Sequence, residues 1–124
     1  MLTGGRRGTD DKVRGNEVMK LGIVLNTNNH ETAWNALRLG AKALDARNEV
    51  SMFLLGDGVE IEDIKDGKFD VAGALNSFLK GGGKLLTCGS CLKVRQQDAG
   101  VCPVSTMEQL VQLITESDRV ISLG

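Results

Sequence analysis

The chain has 124 residues, 41% of them hydrophobic and 25% charged, which is the composition of one small globular domain and excludes disorder throughout. Fifteen Lys and Arg against sixteen Asp and Glu leave a formal net charge of −1, so a nucleic-acid binder with a basic face is not expected. Three cysteines are too few and too clustered for a secreted disulfide framework, and no apolar run nears the ~20 residues that cross a bilayer, so a soluble cytoplasmic protein is expected.

Residues 1–18 stand apart from the rest. Gly4, Gly5, Arg6, Arg7, Gly8, Asp10 and Asp11 open a polar, glycine-rich stretch with neither apolar periodicity nor the apolar core of a secretory signal. It reads as a disordered tail (a leader, a cloning remnant or an early start ahead of Met19), because this composition buries too little apolar surface to offset ordering. The folded domain is expected over residues 19–124.

Leu21, Gly22, Ile23, Val24 and Leu25 form an apolar run without polar alternation, as in a strand covered on both faces. Asn26 to Asn29 end it. Trp34, Leu37, Ala41 and Leu44 then recur at helical spacing, with Asn28 the expected cap and Glu31 supporting the first turn. Val50 to Leu55 predict a second strand, stopped by Gly56-Asp57-Gly58. Glu60 to Lys68 is charged and reads as a surface loop or short helix. Val71, Ala74, Leu75, Phe78 and Leu79 predict the next helix, ended by Gly81-Gly82-Gly83.

Lys84 to Thr87 read as a third strand that runs straight into Cys88-Gly89-Ser90-Cys91, and Ser90 to Asp98 as a third helix. Val101 to Val104 is a short fourth strand, placed at a sheet edge because Pro103 cannot donate to a ladder. Ser105-Thr106-Met107-Glu108 has the spacing of a capping box ahead of an apolar stripe of Met107, Leu110, Val111 and Ile114. Arg119 to Leu123 closes the chain as a fifth strand. Strands alternating with helices predict a three-layer α/β/α domain around a five-stranded parallel sheet. Reactive groups in such sheets gather in the loops outside the carboxyl ends of the strands.

Those loops exclude several chemistries. Asn26 to Thr32 contains no glycine, whereas phosphate-cradling loops need glycines to bring backbone amides close, and aromatic residues are too scarce to stack a flavin. No cofactor is expected. Where a phospho-acceptor domain needs an aspartate at the end of its third strand, this chain has Cys88. His30, the single histidine, reads as a solvated residue near a helix start, and Asp57 as a turn residue. One Cys-x-x-Cys, a lone Cys102 and a distant histidine make a poor zinc set, so no metal is expected.

Cys88 is different. A cysteine between a strand end and a helix start faces unpaired N–H groups that stabilise a thiolate, and Lys93 and Arg95 would add positive charge nearby. Such surroundings lower a thiol pKa from ~8.5 to between about 4 and 7, which turns an inert thiol into a nucleophile. Cys88 and Cys91 together also fit dithiol redox chemistry, with Cys88 attacking and Cys91 resolving, although the thioredoxin fold carries that motif after its first strand. Buried, inert cysteine is the competing reading and suits Cys91 and Cys102 best.

Met19-Lys20-Leu21-Gly22-Ile23-Val24, Phe53-Leu54-Leu55-Gly56-Asp57-Gly58-Val59, Leu85-Leu86-Thr87-Cys88 with Arg95, and Glu108-Gln109-Leu110-Val111 followed by Ser117-Asp118-Arg119-Val120-Ile121 occur in an order and spacing that resemble the DsrE/DsrF-like family, including its TusD-type sulfur-relay proteins. The resemblance spans residues 19–124. It implies a cysteine at the end of the third strand that carries a persulfide between donor and acceptor proteins, with an arginine about seven positions later. Cys88 takes the carrier role by this correspondence and Arg95 that of a candidate thiolate stabiliser. Assembly as trimers, hexamers or hetero-hexamers is also implied. Cys91 and Cys102 are additional to the simplest single-cysteine pattern, as candidate second thiols. Three functions follow: a sulfur-relay protein using Cys88, a dithiol redox protein using Cys88 and Cys91, and a non-catalytic subunit of such an assembly.

Overall fold

The computed structural model describes residues 18–97, 100 and 103–124. The expected tail, apart from Val18, and the candidate Cys102 lie outside the described residues.

Strand β1 (Lys20–Leu25) leads to helix α1 (His30–Asp45), and β2 (Glu49–Leu54) to a 3₁₀ segment (Gly56–Asp63) and helix α2 (Val71–Lys80). Strand β3 (Lys84–Cys88) passes directly into the short helix α3 (Gly89–Val94); β4 (Val104–Ser105), α4 (Met107–Glu116) and β5 (Arg119–Leu123) complete the domain. All five strands are parallel, in the order β4-β3-β2-β1-β5. The edge position expected for β4 therefore holds. Among the described residues, no helix is long and apolar enough to cross a membrane.

Two glycines locate the helices. Adjacent strand residues point to opposite faces. A Cβ on Gly22 would overlap the side chains of Leu113 and Ser117, so α4 covers that face of β1. Gly40 of α1 rests against Phe78 and Ile23, so α1 and α2 cover the other face. With cover on both sides the central strands need no alternation, and Ile23, Leu25, Met52, Phe53 and Leu54 are fully buried.

Local details depart from the sequence reading for identifiable reasons. Asn29, not Asn28, caps α1, its Oδ1 accepting the Thr32 N–H at 2.9 Å, while Asn28 donates to Glu60 Oε1 at 2.8 Å. The third helix stops at Val94 rather than Asp98, because the Arg95 and Gln96 N–H groups turn back onto carbonyls of the helix they have just left. Ser105 belongs to β4, where it pairs with Cys88, so the capping box shifts by one residue to Thr106 and Gln109. Of the apolar stripe on α4, Leu110 faces inward together with Leu113, while Met107, Val111 and Ile114 are exposed. One helix resting over Gly22 cannot cover the whole face with its full apolar arc.

Candidate functional site

The sheet topology places the carboxyl end of β3 beside that of β2. Two segments meet there: Cys88 to Cys91 and the start of the 3₁₀ segment. Cys88 is the last residue of β3 and also the N-cap of α3, with φ −62° and ψ 113°. No turn residue separates strand from helix, so the backbone of α3 closes immediately onto the sulfur. Cys91 N–H donates to Cys88 Sγ at 3.4 Å, and Ser90 Oγ lies 3.4 Å from the same atom. Gly89 lets the edge strand approach, since a Cβ there would stand 3.0 Å from the Val104 side chain.

Cys88 exposes only 2% of its surface, whereas Cys91 is half-buried. Cys88 is thus buried at the strand end, against the start of α3, rather than held out on an open loop. Among the described residues both cysteines are free thiols. Burial pushes the Cys88 thiol up, but the neighbouring Cys91 thiol, the Ser90 hydroxyl and the N–H groups of Cys91 and Ser90 outweigh it and bring the thiol below its ordinary range. Cys91 moves the opposite way. Burial raises it, as do the Cys88 thiol and the charge on Cys88, against the lowering influence of the Gly56 N–H and Arg95. Of the two thiols, Cys88 is therefore the one whose ionisation its surroundings favour.

Arg95 does not sit against Cys88. Its Nη1 donates to the Cys91 carbonyl at 3.1 Å and its Nη2 to Asp57 Oδ1 at 2.6 Å, with Glu60 Oε2 4.0 Å from Nε. Its charge acts on Cys91. Lys93 is exposed. The leading influences that lower the Cys88 thiol are hydrogen bonds, and Arg95 fixes the position of its neighbour.

Gly56 and Asp57, read from the sequence as turn residues, belong to the site. Gly56 N–H donates to Cys91 Sγ at 3.3 Å, and Asp57 anchors Arg95 from 38 positions away. Only the pairing of β2 with β3 could have pointed to them, because it makes their following loops neighbours. Gly56 has φ +54°, which a side chain would strain. His30 stands at the first position of α1 and pairs with Asp66 at 2.7 Å. That bond, with the N–H groups of Lys68 and Phe69, holds the Asp66 carboxyl at about 2. Among the described residues no group of three or more histidines, cysteines and carboxylates is placed to hold a metal.

Comparison with known proteins bears on this arrangement. The model of the DsrE/DsrF-like family matches residues 19–123. An uncharacterized protein of Methanopyrus kandleri is 34% identical, over 73% of this chain and 81% of its own length. An uncharacterized protein of Methanocaldococcus jannaschii is 30% identical, over 74% and 87%. A solved structure of a conserved protein of unknown function from Bacteroides thetaiotaomicron shares the fold, with a TM-score of 0.68 at 18% identity, covering 83% of this chain and 93% of that one.

Proposed function

The chain belongs to the DsrE/DsrF-like family, and on that premise we propose that it is a sulfur-relay protein whose Cys88 accepts sulfane sulfur as a persulfide and passes it to a partner thiol. The observation that carries this reading is the pair of hydrogen bonds at Cys88 Sγ, with the Cys91 N–H and the Ser90 hydroxyl, each at 3.4 Å. They favour the thiolate, and the thiolate is the nucleophile toward sulfane sulfur. Close cover suits a carrier as well, because a persulfide shielded from bulk thiols keeps its sulfur until a partner docks.

Loading needs no resident cofactor. The Cys88 thiolate attacks a sulfane sulfur of the donor, a bond forms between the two sulfurs, and the remainder of the donor leaves with the electron pair. Transfer repeats the step in reverse sense, with the acceptor thiolate attacking the terminal sulfur and Cys88 leaving as thiolate. Donor and acceptor are both proteins in this reading, and a reducing, cytoplasmic setting suits free thiols. Self-association, as a trimer or hexamer, belongs to the same proposal. The exposed apolar residues Met107, Val111 and Ile114 on α4, at 52%, 58% and 47% exposure, support it.

The test is intact mass after brief exposure to inorganic polysulfide. The wild-type chain is expected to gain one sulfur that maps to Cys88, and Cys88→Ser none at that position. An adduct of equal yield on both, or none on either, overturns the reading.

A further inference from the structure

Building on the carrier reading, we propose that Cys91 is the discharge thiol of the site: it attacks the Cys88 sulfur of the loaded form and expels the carried sulfur as hydrosulfide. The geometry selects the atom attacked. Cys91 N–H donates to Cys88 Sγ at 3.4 Å, so Cys91 packs against the inner sulfur, the atom to which a carried sulfur is bonded. The Cys-x-x-Cys spacing across this junction is one that a disulfide bridges. Cys91 is fixed beside Cys88 from two sides, by the Gly56 N–H on its sulfur at 3.3 Å and by Arg95 on its carbonyl at 3.1 Å.

Charge sets the order of events. In the empty site the Cys91 thiol is raised by burial first, and then by the Cys88 thiol and its charge. Loading turns Cys88 Sγ into a neutral divalent sulfur and moves the negative charge one atom outward. Both influences of Cys88 on the Cys91 proton weaken. The Gly56 N–H and the Arg95 charge remain, and both favour the Cys91 thiolate. Cys91 becomes a nucleophile only once there is something to discharge.

The step balances without an outside oxidant. The Cys91 proton passes to the anionic terminal sulfur and Cys91 Sγ bonds to Cys88 Sγ. The bond between Cys88 Sγ and the terminal sulfur breaks, and the terminal sulfur leaves with the electron pair as hydrosulfide. The sulfane sulfur is reduced and the two cysteines are oxidised to a disulfide, which an external dithiol returns to the starting state by exchange. A partner thiol that arrives promptly takes the sulfur as sulfane; without one the site empties as hydrosulfide and waits for a reductant.

A quenched time course separates this proposal from the one it rests on. The full chain, Cys91→Ser and Cys91→Ala are mixed with inorganic polysulfide, quenched with an alkylating agent and cleaved after lysine. Peptide 85–93 contains Cys88 and Cys91 but not Cys102. In the wild type the persulfide is expected to rise and then decay into a Cys88–Cys91 disulfide. In both variants it is expected to rise and persist. A wild-type persulfide that persists while Cys91 stays open to alkylation overturns the discharge role and leaves the carrier standing. Absence of any Cys88 persulfide in all three proteins overturns the carrier reading and the discharge step with it.

Discussion

Two strand-to-helix junctions at the same edge of the sheet do the same structural job with different atoms. At the end of β1 the cap of α1 is Asn29, whose Oδ1 accepts the Thr32 N–H at 2.9 Å. At the end of β3 the cap of α3 is Cys88, whose sulfur accepts the Cys91 N–H at 3.4 Å. Each cap satisfies the amide three residues on, one of the donors that every helix start leaves unpaired. Asn29 is exposed and neutral. Cys88 is buried and ionisable, and it gathers further donors from Ser90 and Cys91. A neutral amide at such a junction is only a cap. A thiol there has its charged form stabilised, and the same hydrogen bonds serve chemistry.

The largest effect should come from making the second junction resemble the first. Cys88→Ser keeps an N-cap oxygen in nearly the same volume, so stability to urea is expected to change by no more than about 1 kcal/mol, while persulfide loading on peptide 85–93 disappears. A loss of several kcal/mol would mean that the sulfur is chiefly core packing.

The next comparison lies between the two thiols. Rising pH should ionise Cys88 first, below the ordinary thiol range, and Cys91 only above it, because hydrogen bonds favour charge on Cys88 while burial and the Cys88 thiol oppose it on Cys91. Alkylation by iodoacetamide, normalised for each thiol against its own plateau and located by fragment ions, should give two separated midpoints in that order. Cys91→Ala removes a thiol that favours charge on Cys88 and should move its midpoint upward. Coincident midpoints, or no movement in the variant, would break the account of the pair.

Much of this was legible in the sequence, and the remainder fails in an instructive way. Uninterrupted apolar runs such as Ile23 to Leu25 announce covered parallel strands, and their alternation with helical stripes gives the α/β class. The placement of Cys88 at a strand end follows from the same pattern. What one dimension hides is what the third supplies. Arg95 looks like a cation for Cys88 when only spacing is counted, yet the loop following β2 offers it Asp57 and turns it toward Cys91. The stripe of Met107, Leu110, Val111 and Ile114 announces the helix, but periodicity reports an apolar arc and not how much of it is buried: Met107, Val111 and Ile114 stay exposed. The edge strand that pairs with Cys88 has two residues, too short to carry a pattern of its own.

A smaller effect tests the first junction alone. Asn29→Ala leaves the Thr32 N–H without its cap and should cost about 1 kcal/mol in urea denaturation, with persulfide loading at Cys88 unchanged. Loss of loading in this variant would show that the junctions are coupled, contrary to the separation argued here.

The smallest effect is expected next to the sulfur but on the other side of the sheet. Thr87 precedes Cys88 in β3, so its side chain points to the opposite face. It exposes 1% of its surface, and among the described residues its Oγ1 is a buried side-chain oxygen without a hydrogen-bond partner. A hydroxyl buried in this way costs roughly 1–3 kcal/mol relative to water, and valine has nearly its shape without the polar atom. Thr87→Val should therefore be neutral or more stable by about 1 kcal/mol, read as the shift in urea midpoint at constant slope. Sulfur loading should not change, because the substitution lies behind the strand that carries Cys88. Destabilisation would mean that the hydroxyl has a partner in solution, and altered loading would mean that the two faces of β3 are not independent.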